Sequence, residues 1–496
     1  MTKTIYKFLS LFLCLAMLLG LSACGKDYSS VIIYFELNGK PNTLDAQLAS
    51  TDQELLLVRN IYEGLLRENS DGKIVNGACE SYKKSGLVYT FKLRKDAAWS
   101  NDAPLTADDF VFAFKRAVNP ETKAPFVKRL SAIKNADARI NNDAPLSTLG
   151  VKAIDSQTVE ITLEREDKDF LKTLTTSICM PCNEEFFNEC HGQYGLKSNY
   201  VISNGSYSIT KWNREDFGIR IYKNSTYNGD FVPKNRAIFF SLEEDSTPAE
   251  RLSANKVDIA FIENRDVKSF GSSDFTTLSY ENICWFLTIS NEYSNDMRSA
   301  FAMLVDSSYY KNRLSNGFSA ADTIYPGSLG DNSAYSKIGF SKYNPSSAVA
   351  LFSSAVTKME DKKFPSTNLT YTDNEEIKPV ITAIVGHWQQ SLSAFINISP
   401  YKENTDLIPQ LESKSLPFSV FYVKAASGYI SEYLEKFGVE YSGQNLADVQ
   451  AQLLESKNII PLAFENTNII YNNSLQNVYS SYLGGYIDFS FIVKKD

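Results

Sequence analysis

The side chains best suited to metal chemistry lie close together in one segment of the sequence. Cys179, Cys182, Cys190 and His191 offer three thiols and an imidazole at short spacings, and such groups can surround a zinc ion. Structural zinc sites usually take their ligands from two separated pairs, which this segment lacks. We therefore expect no bound metal. The body of the chain has an odd set of cysteines, so they cannot all pair within it, and no pairing follows from the sequence: Cys79, Cys179, Cys182, Cys190 and Cys284.

Nucleophilic catalysis would depend on one of the two histidines in the chain. A serine or cysteine nucleophile needs a nearby base, which here could only be His191 or His387. His191 directly follows Cys190, and two adjacent residues form an awkward catalytic dyad. His387 falls in an apolar run of helical spacing, where a histidine usually packs. Neither histidine therefore indicates a catalytic site.

Other catalytic signatures are also missing from the sequence. The acid pairs Asp108-Asp109 and Glu243-Glu244 suit a solvated helix start and a turn better than the paired carboxylates of a glycosidase. The chain contains no Gly-x-Ser-x-Gly elbow, no His-Glu-x-x-His helix and no glycine-rich phosphate loop. We predict that the protein is not an enzyme and needs no cofactor. A secreted hydrolase remains the alternative, to be tested by turnover of peptides or glycosides.

The first two dozen residues are typical of a secretion signal that ends at a cysteine. Two lysines precede an apolar run from Phe8 to Gly20, which is short for a membrane span. Cys24 follows Leu21-Ser22-Ala23, an order similar to the lipobox of bacterial lipoproteins, in which the cysteine receives a diacylglyceryl group. We predict a signal peptide over 1–23 and a lipid-anchored tether over 24–30. The mature protein would then lie on the extracytoplasmic face of the bacterial membrane, at the periplasmic side or the cell surface.

Composition limits the partners that the protein can have. The 496 residues carry a net charge of −8 and no block of basic residues, so nucleic acid is an unsuitable partner. No second apolar run is long enough to span a bilayer, which leaves the lipid as the membrane attachment. Tyr and Phe number 28 and 31, a content that suits recognition surfaces but also ordinary cores. The length allows two or three domains.

Local patterns predict alternating strands and helices. A buried strand is predicted over 31–35 and a helix over 52–66, which has apolar residues at helical spacing. Thr106-x-x-Asp109 is a capping-box variant that opens a further helix. Later strands are predicted over 88–93, 151–154, 159–163, 236–242 and 282–289, and later helices over 297–305 and 376–395. Mixed elements throughout indicate an α/β fold.

A series of short motifs resembles family 5 of the extracellular solute-binding proteins, which serve ABC importers and include oligopeptide-binding lipoproteins. The motifs follow the order of the family and span the mature chain. They are Asn42-Thr43-Leu44-Asp45, Ile61-Tyr62-Glu63-Gly64-Leu65, Tyr89-Thr90-Phe91-Lys92-Leu93-Arg94, Trp99-Ser100, Thr106-Ala107-Asp108-Asp109-Phe110-Val111, Asn119-Pro120-Glu121-Thr122, Val151-Lys152-Ala153-Ile154-Asp155, Ser203-Asn204-Gly205-Ser206-Tyr207, Val257-Asp258-Ile259, Asp296-Met297-Arg298-Ser299-Ala300 and Ile459-Ile460-Pro461-Leu462.

The resemblance implies a two-lobed clamp of the periplasmic-binding-protein type, in the type II, large cluster C form. Lobe one would take residues 31–70, 184–270 and 470–496, and an inserted subdomain of lobe one would take 71–183. Lobe two would take 271–469. A ligand would bind between the lobes, and hinge closure would present it to a membrane permease.

The resemblance also implies which segments line the cleft. Three stretches match the cleft segments of the family: Tyr34, Phe35, Glu36 and Leu37; Phe261, Ile262 and Glu263; and Tyr422, Val423, Lys424, Ala425 and Ala426. Peptide-binding members hold the ligand's α-amine with an aspartate of the third stretch. In this sequence Gly428 stands at the matching position, Ala425 replaces a tryptophan, and Lys424 adds a cation. These differences favour a ligand that is anionic, has a blocked amino terminus or is not a peptide.

These observations predict a monomeric, lipid-anchored substrate-binding protein of an ABC importer. The ligand would be a small molecule or peptide, with an oligopeptide favoured, and the permease subunits would be the protein partners. Two alternatives remain open on the sequence: a signalling lipoprotein that senses a peptide, and a binding protein for a non-peptide solute such as an oligosaccharide.

Overall fold

The computed structural model describes residues 30–213, 218–242, 245–330, 332–401, 416–425, 428–441, 443–455, 459–481 and 486–495. The predicted signal peptide, Cys24 and Ala426 lie outside these residues, so their predictions concern parts of the chain that the structure does not describe. Within the described ranges, no helix is long and apolar enough to cross a bilayer.

The elements alternate along the chain, which confirms the α/β prediction. The strands are β1 (Ile32–Glu36), β2 (Leu66–Glu68), β3 (Ile74–Asn76), β4 (Cys79–Ser85), β5 (Val88–Leu93), β6 (Val151–Asp155), β7 (Thr158–Thr162), β8 (Tyr207–Lys211), β9 (Gly218–Lys223), β10 (Ala237–Ser241), β11 (Ile259–Ile262), β12 (Phe275–Ile289), β13 (Phe318–Ala320), β14 (Thr367–Thr372), β15 (Ile396–Tyr401), β16 (Phe418–Lys424), β17 (Ile459–Asn472), β18 (Leu475–Gln476), β19 (Tyr479–Ser481), β20 (Tyr486–Asp488) and β21 (Val493–Lys494). The helices are α1 (Asp52–Ile61), α2 (Ala107–Ala117), α3 (Ala136–Ile140), α4 (Phe170–Thr173), α5 (Glu184–Glu189), α6 (Pro248–Ser253), α7 (Asn295–Ala302), α8 (Ser307–Tyr310), α9 (Pro345–Thr357), α10 (Lys378–Leu392), α11 (Ile430–Glu435) and α12 (Leu446–Glu455).

One sheet runs through both lobes of the molecule. Its order is β15-β14-β16-β12-β17-β11-β1-β10-β9-β8, and β13 pairs with β17 off this path. The first lobe contains β1 and β8 to β11, and the second lobe contains β13 to β16. The long strands β12 and β17 pair antiparallel in the middle and belong to both lobes. The two lobes are therefore joined along one pair of strands.

A separate antiparallel sheet, β4-β5-β7-β6, forms the insert together with α2. Its strands confirm those predicted over 88–93, 151–154 and 159–163. Helix α2 begins with the predicted capping box, in which the Thr106 backbone N–H donates to the Asp109 carboxylate at 2.8 Å. Insert and first lobe share one hydrophobic core, which includes Phe91, Trp99 and Phe35. The second lobe has its own core, which includes Trp285 and Trp388.

Helix α1 is shorter than its periodicity predicts. The predicted helix runs to Leu66, but α1 ends at Ile61 because Tyr62 turns the backbone into an extended conformation with φ −117° and ψ 155°. The following Gly64 lies against other backbone, since a Cβ atom there would come within 2.8 Å of the Leu174 carbonyl oxygen. Close packing of the Tyr62-Glu63-Gly64 segment therefore overrides local helical preference.

Candidate functional site

The pairing of β12 and β17 is irregular where the two lobes meet. Their register shifts between Glu281 and Ile283, so Asn282 falls outside the regular ladder. The Asn282 backbone carbonyl accepts a hydrogen bond from the Ala425 N–H at 2.7 Å. Its side-chain oxygen accepts one from the Thr467 hydroxyl at 2.8 Å. On one side of this point β17 pairs with β11, and on the other β12 pairs with β16. The irregularity therefore lies where the strands of the two lobes meet, and the residues around it form the candidate floor of a cleft between the lobes.

Glu465 is the main ionisable group at this floor. The Trp285 indole N–H donates to its carboxylate at 2.6 Å, and the Asn264 amide donates at 3.3 Å. Burial raises the pKa of Glu465 to about 7, although these hydrogen bonds oppose the shift. Trp285 comes from β12, Glu465 from β17, and Asn264 follows β11. Both lobes and their connection therefore contribute to one polar site.

A second carboxyl group, Glu376, lies just before α10 in the second lobe. Burial raises its pKa, and the nearby Glu263 of the first lobe raises it further. The Oε1 atom of Glu376 is buried and accepts no hydrogen bond from any residue that the structure describes. On the first lobe, Glu263 forms an ion pair with Arg265, with 2.6 Å between the guanidinium nitrogen and the carboxylate oxygen. Acidic side chains of both lobes thus face each other on this side of the cleft.

Lys424 connects the lobes directly. It ends β16, and its ammonium group donates to the carboxylate of Asp52 in the first turn of α1. Both side chains are partly exposed, at 27% and 30%. Beside Lys424 on β16, the Tyr422 ring packs against Trp285 with ring centroids 5.1 Å apart. Aromatic and basic groups therefore form the second-lobe wall next to Glu465.

The first predicted cleft segment lies mainly within the first lobe. Phe35 is fully buried and packs edge-to-face on neighbouring aromatic rings, including that of Phe261 at 5.8 Å. Glu36 is buried and accepts hydrogen bonds from the Arg251 guanidinium. Leu37 is buried as well, whereas Tyr34 is 41% exposed and packs edge-to-face on Phe239 of the neighbouring strand β10. The side chains of this segment have partners within the first lobe.

The other predicted residues that the structure describes lie nearer to the candidate cleft floor. Phe261 is half-buried and Ile262 is buried on β11, and Glu263 follows them at the surface. Val423 and Ala425 are buried, while Tyr422 and Lys424 are half-buried beside the floor. Sequence reasoning missed Glu465, Trp285, Glu376 and Asn264. Two sequence features lie next to these residues and could have pointed to them. The Ile459-Ile460-Pro461-Leu462 motif shortly precedes Glu465, and the predicted 261–263 segment directly precedes Asn264.

The cysteines and histidines do not form a site in the described part of the chain. The five described cysteines are free and buried, and burial raises the pKa of Cys179 and of Cys182 to about 12, which disfavours the reactive thiolate. Among the described residues, no group of three His, Cys, Asp or Glu side chains is placed to hold a metal ion. His387 is buried on α10 and stacks on Tyr309 at 3.9 Å, which confirms its predicted packing role.

Comparison with known proteins agrees with this architecture. A model of bacterial extracellular solute-binding proteins, family 5 Middle, matches residues 73–474. The dipeptide-binding protein DppE of Bacillus subtilis is 24% identical over 422 residues, which cover 83% of this chain and 76% of DppE.

Two solved structures share the fold. The substrate-binding domain of a Bacillus anthracis oligopeptide ABC transporter has a TM-score of 0.75 and 23% identity, with 94% of this chain and 99% of that chain covered. The pheromone receptor PrgZ has a TM-score of 0.75 and 22% identity, with 94% and 100% covered. The chain therefore belongs to family 5 of the bacterial extracellular solute-binding proteins, which confirms the two-lobed fold and the binding, non-enzymatic role predicted from the sequence.

Proposed function

We propose that this protein captures an oligopeptide between its two lobes and delivers it to the permease of an ABC importer. The observation that carries the proposal is the cleft floor, where Glu465, Trp285 and Asn264 from both lobes meet beside the irregular β12–β17 pairing. Strands that pass between two lobes at one point allow hinge closure around a ligand. Relatives named as dipeptide- and oligopeptide-binding proteins support a peptide as the ligand.

The charges of the cleft suggest how a peptide would be oriented. Glu465 and Glu376 offer carboxylates to a cation, and Glu376 has a buried oxygen without a described partner. The ligand's α-amine or a basic side chain would satisfy that oxygen through a charge-assisted hydrogen bond. These two glutamates would then replace the family's aspartate, whose position Gly428 occupies. A cationic group of the ligand would therefore bind near Glu465 and Glu376.

The sequence-derived domain boundaries form part of this proposal. Residues 31–70, 184–270 and 470–496 would move as lobe one together with the insert 71–183, and residues 271–469 would move as lobe two. The shared core of the insert and first lobe supports their movement as one body. The protein would act as a monomer without a cofactor.

Mass spectrometry of small molecules released by denaturing the purified protein tests the substrate class. A mixture of short peptides would support the proposal, whereas a single sugar would replace the peptide with an oligosaccharide. A purified protein that turns over the recovered peptides would contradict the binding role.

Replacing Lys424 with alanine is expected to weaken binding of the recovered peptides by up to about fivefold, because the closed state loses its ion pair to Asp52. The melting temperature should change little, since both partners are partly exposed and such pairs contribute below about 1 kcal/mol. Isothermal titration calorimetry measures the affinity. Lys84→Ala, which breaks an exposed pair with Glu166 on the insert, serves as the control and should bind normally. Equal peptide affinities of the two variants would show that Lys424 does not contribute to binding in the cleft.

A lipid at Cys24 would keep the protein beside its permease. Cys24→Ser is expected to abolish incorporation of radiolabelled palmitate and to move the protein from the membrane fraction to the soluble fraction, because serine has no thiol to acylate. The matched control is Cys14→Ser, which changes a cysteine of the apolar run instead. Full membrane retention of the Cys24→Ser protein would show that another element anchors it.

The second candidate function is peptide sensing, which the fold shared with the pheromone receptor PrgZ supports. A deletion strain separates the two roles. Loss of peptide uptake supports import, whereas intact uptake with loss of a peptide-induced response supports sensing.

A further inference from the structure

The insert contacts the second lobe through a compact group of side chains, which we call the clasp. It consists of Phe126, Arg129 and Lys172 from the insert and Tyr429 and Glu432 from the second lobe. The Arg129 guanidinium donates to both carboxylate oxygens of Glu432, with a distance of 2.8 Å between Nη2 and Oε2. Such a bidentate pair fixes the orientation of both partners.

Two aromatic rings enclose the cation of the clasp. The Arg129 guanidinium lies 4.1 Å from the ring centroid of Phe126 and 4.7 Å from that of Tyr429. Lys172 places its ammonium 4.5 Å from the same Tyr429 ring and 3.4 Å from the Gly428 carbonyl oxygen. The Arg129 side chain is only 5% exposed, so these cation–π contacts act with little competition from water.

The clasp is polar where a permanent domain interface would be apolar. The insert shares its hydrophobic core with the first lobe, and the second-lobe clusters are separate from that core. Charged groups can exchange their partners for water when two surfaces separate, whereas an extended apolar surface cannot do so without a large cost. The contact is therefore suited to forming and breaking.

The clasp also lies beside the cleft. Tyr429 follows β16 closely in the sequence, and β16 ends at Lys424, which pairs with Asp52 of the first lobe. Opening of the cleft would separate Lys424 from Asp52 and the second lobe from the insert. Such an opening would break the clasp as well.

We propose that Arg129 and Lys172 are positioning residues of the insert that hold the second lobe closed over the ligand. This inference rests on the proposed capture of a ligand by closure, and it assigns a part in that closure to the insert. A contact made only in the closed state raises the closed population and hence the apparent affinity for any ligand that requires closure. We expect its loss to weaken binding of the recovered peptides about tenfold, within the usual range of coupling between sites.

Small-angle X-ray scattering of the protein freed of ligand by washing in denaturant and refolding tests the clasp directly. Arg129→Glu should increase the radius of gyration, because two acids then face each other across the contact. Glu432→Arg should do the same with two cations. The combined charge swap, Arg129→Glu with Glu432→Arg, should return the scattering and the affinity towards wild type. A residue with a merely structural role in the insert would not be rescued by a change in the second lobe.

The neighbouring pair Lys128 and Glu435 provides the control. It crosses the same boundary at 2.6 Å, but its side chains are 73% and 52% exposed, so Lys128→Glu should leave the radius of gyration unchanged. If Arg129→Glu fails to fold, Glu432→Gln replaces it, since Glu432 is more exposed than Arg129. Scattering identical to wild type in a folded Arg129→Glu or Glu432→Gln protein would overturn the clasp.

These measurements separate the clasp from the proposed function. Recovery of peptides with unchanged scattering in the variants would reject the clasp alone. Opening of Arg129→Glu in a protein from which no peptide is recovered would support the clasp and reject the peptide ligand.

Discussion

Replacing Arg67 with methionine is expected to lower the free energy of unfolding by about 3–5 kcal/mol, because it leaves buried charge uncompensated. Arg67 donates to Asp488 and forms an ion pair with Glu63 at 3.3 Å. The side chains of Asp488 and Glu63 are 3% and 1% exposed. The guanidinium also lies 3.6 Å from the Phe231 ring centroid. The substitution therefore removes the positive charge that pairs with both acids and the guanidinium group that packs on the Phe231 ring.

Without Arg67, Glu63 and Asp488 are left with different numbers of partners for their negative charges. Glu63 keeps Arg94 at 2.8 Å and the Tyr227 hydroxyl at 2.5 Å. Burial pushes the pKa of Asp488 upward, but Arg67 and hydrogen bonds from Ser490 outweigh it and hold the pKa below its usual value. Without Arg67, most of the cost therefore falls on the Asp488 carboxylate.

Denaturant unfolding followed by tryptophan fluorescence measures this loss, since Trp99 lies in the core of the first lobe and insert. The double variant Arg67→Met with Asp488→Asn should lose less than Arg67→Met alone, because the neutral amide needs no counter-charge. The exposed pair of Lys84 with Glu166 offers the control, and Lys84→Met should change stability by less than about 1 kcal/mol. A single variant as stable as the control would show that the network is not buried as described.

Glu465→Gln is expected to remove about 3 kcal/mol of pH-dependent destabilisation between pH 4.5 and pH 7. Burial raises the pKa of Glu465 from 4.5 to about 7 in the folded protein. In this window the folded state binds a proton that the unfolded state has released. Stability therefore falls as the pH rises from 4.5 through 7, and each unit of pKa difference corresponds to about 1.4 kcal/mol. Glutamine cannot ionise and keeps an oxygen for the Trp285 indole N–H.

The measurement is the free energy of unfolding of both proteins across this pH range. Other buried acids with a raised pKa, such as Asp109, contribute the same slope to both proteins, so the difference between them isolates Glu465. Glu375→Gln is the matched control, because Glu375 is 71% exposed and adjoins Glu376. Parallel profiles of wild type and Glu465→Gln would place the Glu465 carboxyl in water instead of at a buried cleft floor.

Local elements could be predicted where their cause is also local. The capping box of Thr106 and Asp109 joins residues three apart, so its spacing in the sequence is its geometry. The alternation over 88–93 likewise gave the strand β5 with its inward Tyr89, Phe91 and Leu93. Helix α1 was predicted too long because packing of Tyr62 and Gly64 against distant chain ended it.

The candidate site was predicted only in part. The sequence suggested Tyr422 and Lys424, which lie beside Trp285 and Glu465 of the candidate site. It also suggested Phe35 and Glu36, which have partners inside the first lobe. An alternating strand shows which residues share a face, but it does not show whether that face meets a cleft or a helix. Glu36 faces a helix, because Arg251 on α6 donates to its carboxylate.

The class of fold and the family follow from the sequence alone, because ordered motifs and short-range patterns can be recognised without knowledge of contacts. The pairing of charges, in contrast, requires the folded chain. Glu465 and Trp285 are separated by 180 positions, and Arg129 and Glu432 by 303. Such pairs depend on strand register and on how the lobes close, and neither is encoded by the spacing of residues within one element. The cleft floor and the clasp are therefore products of long-range packing.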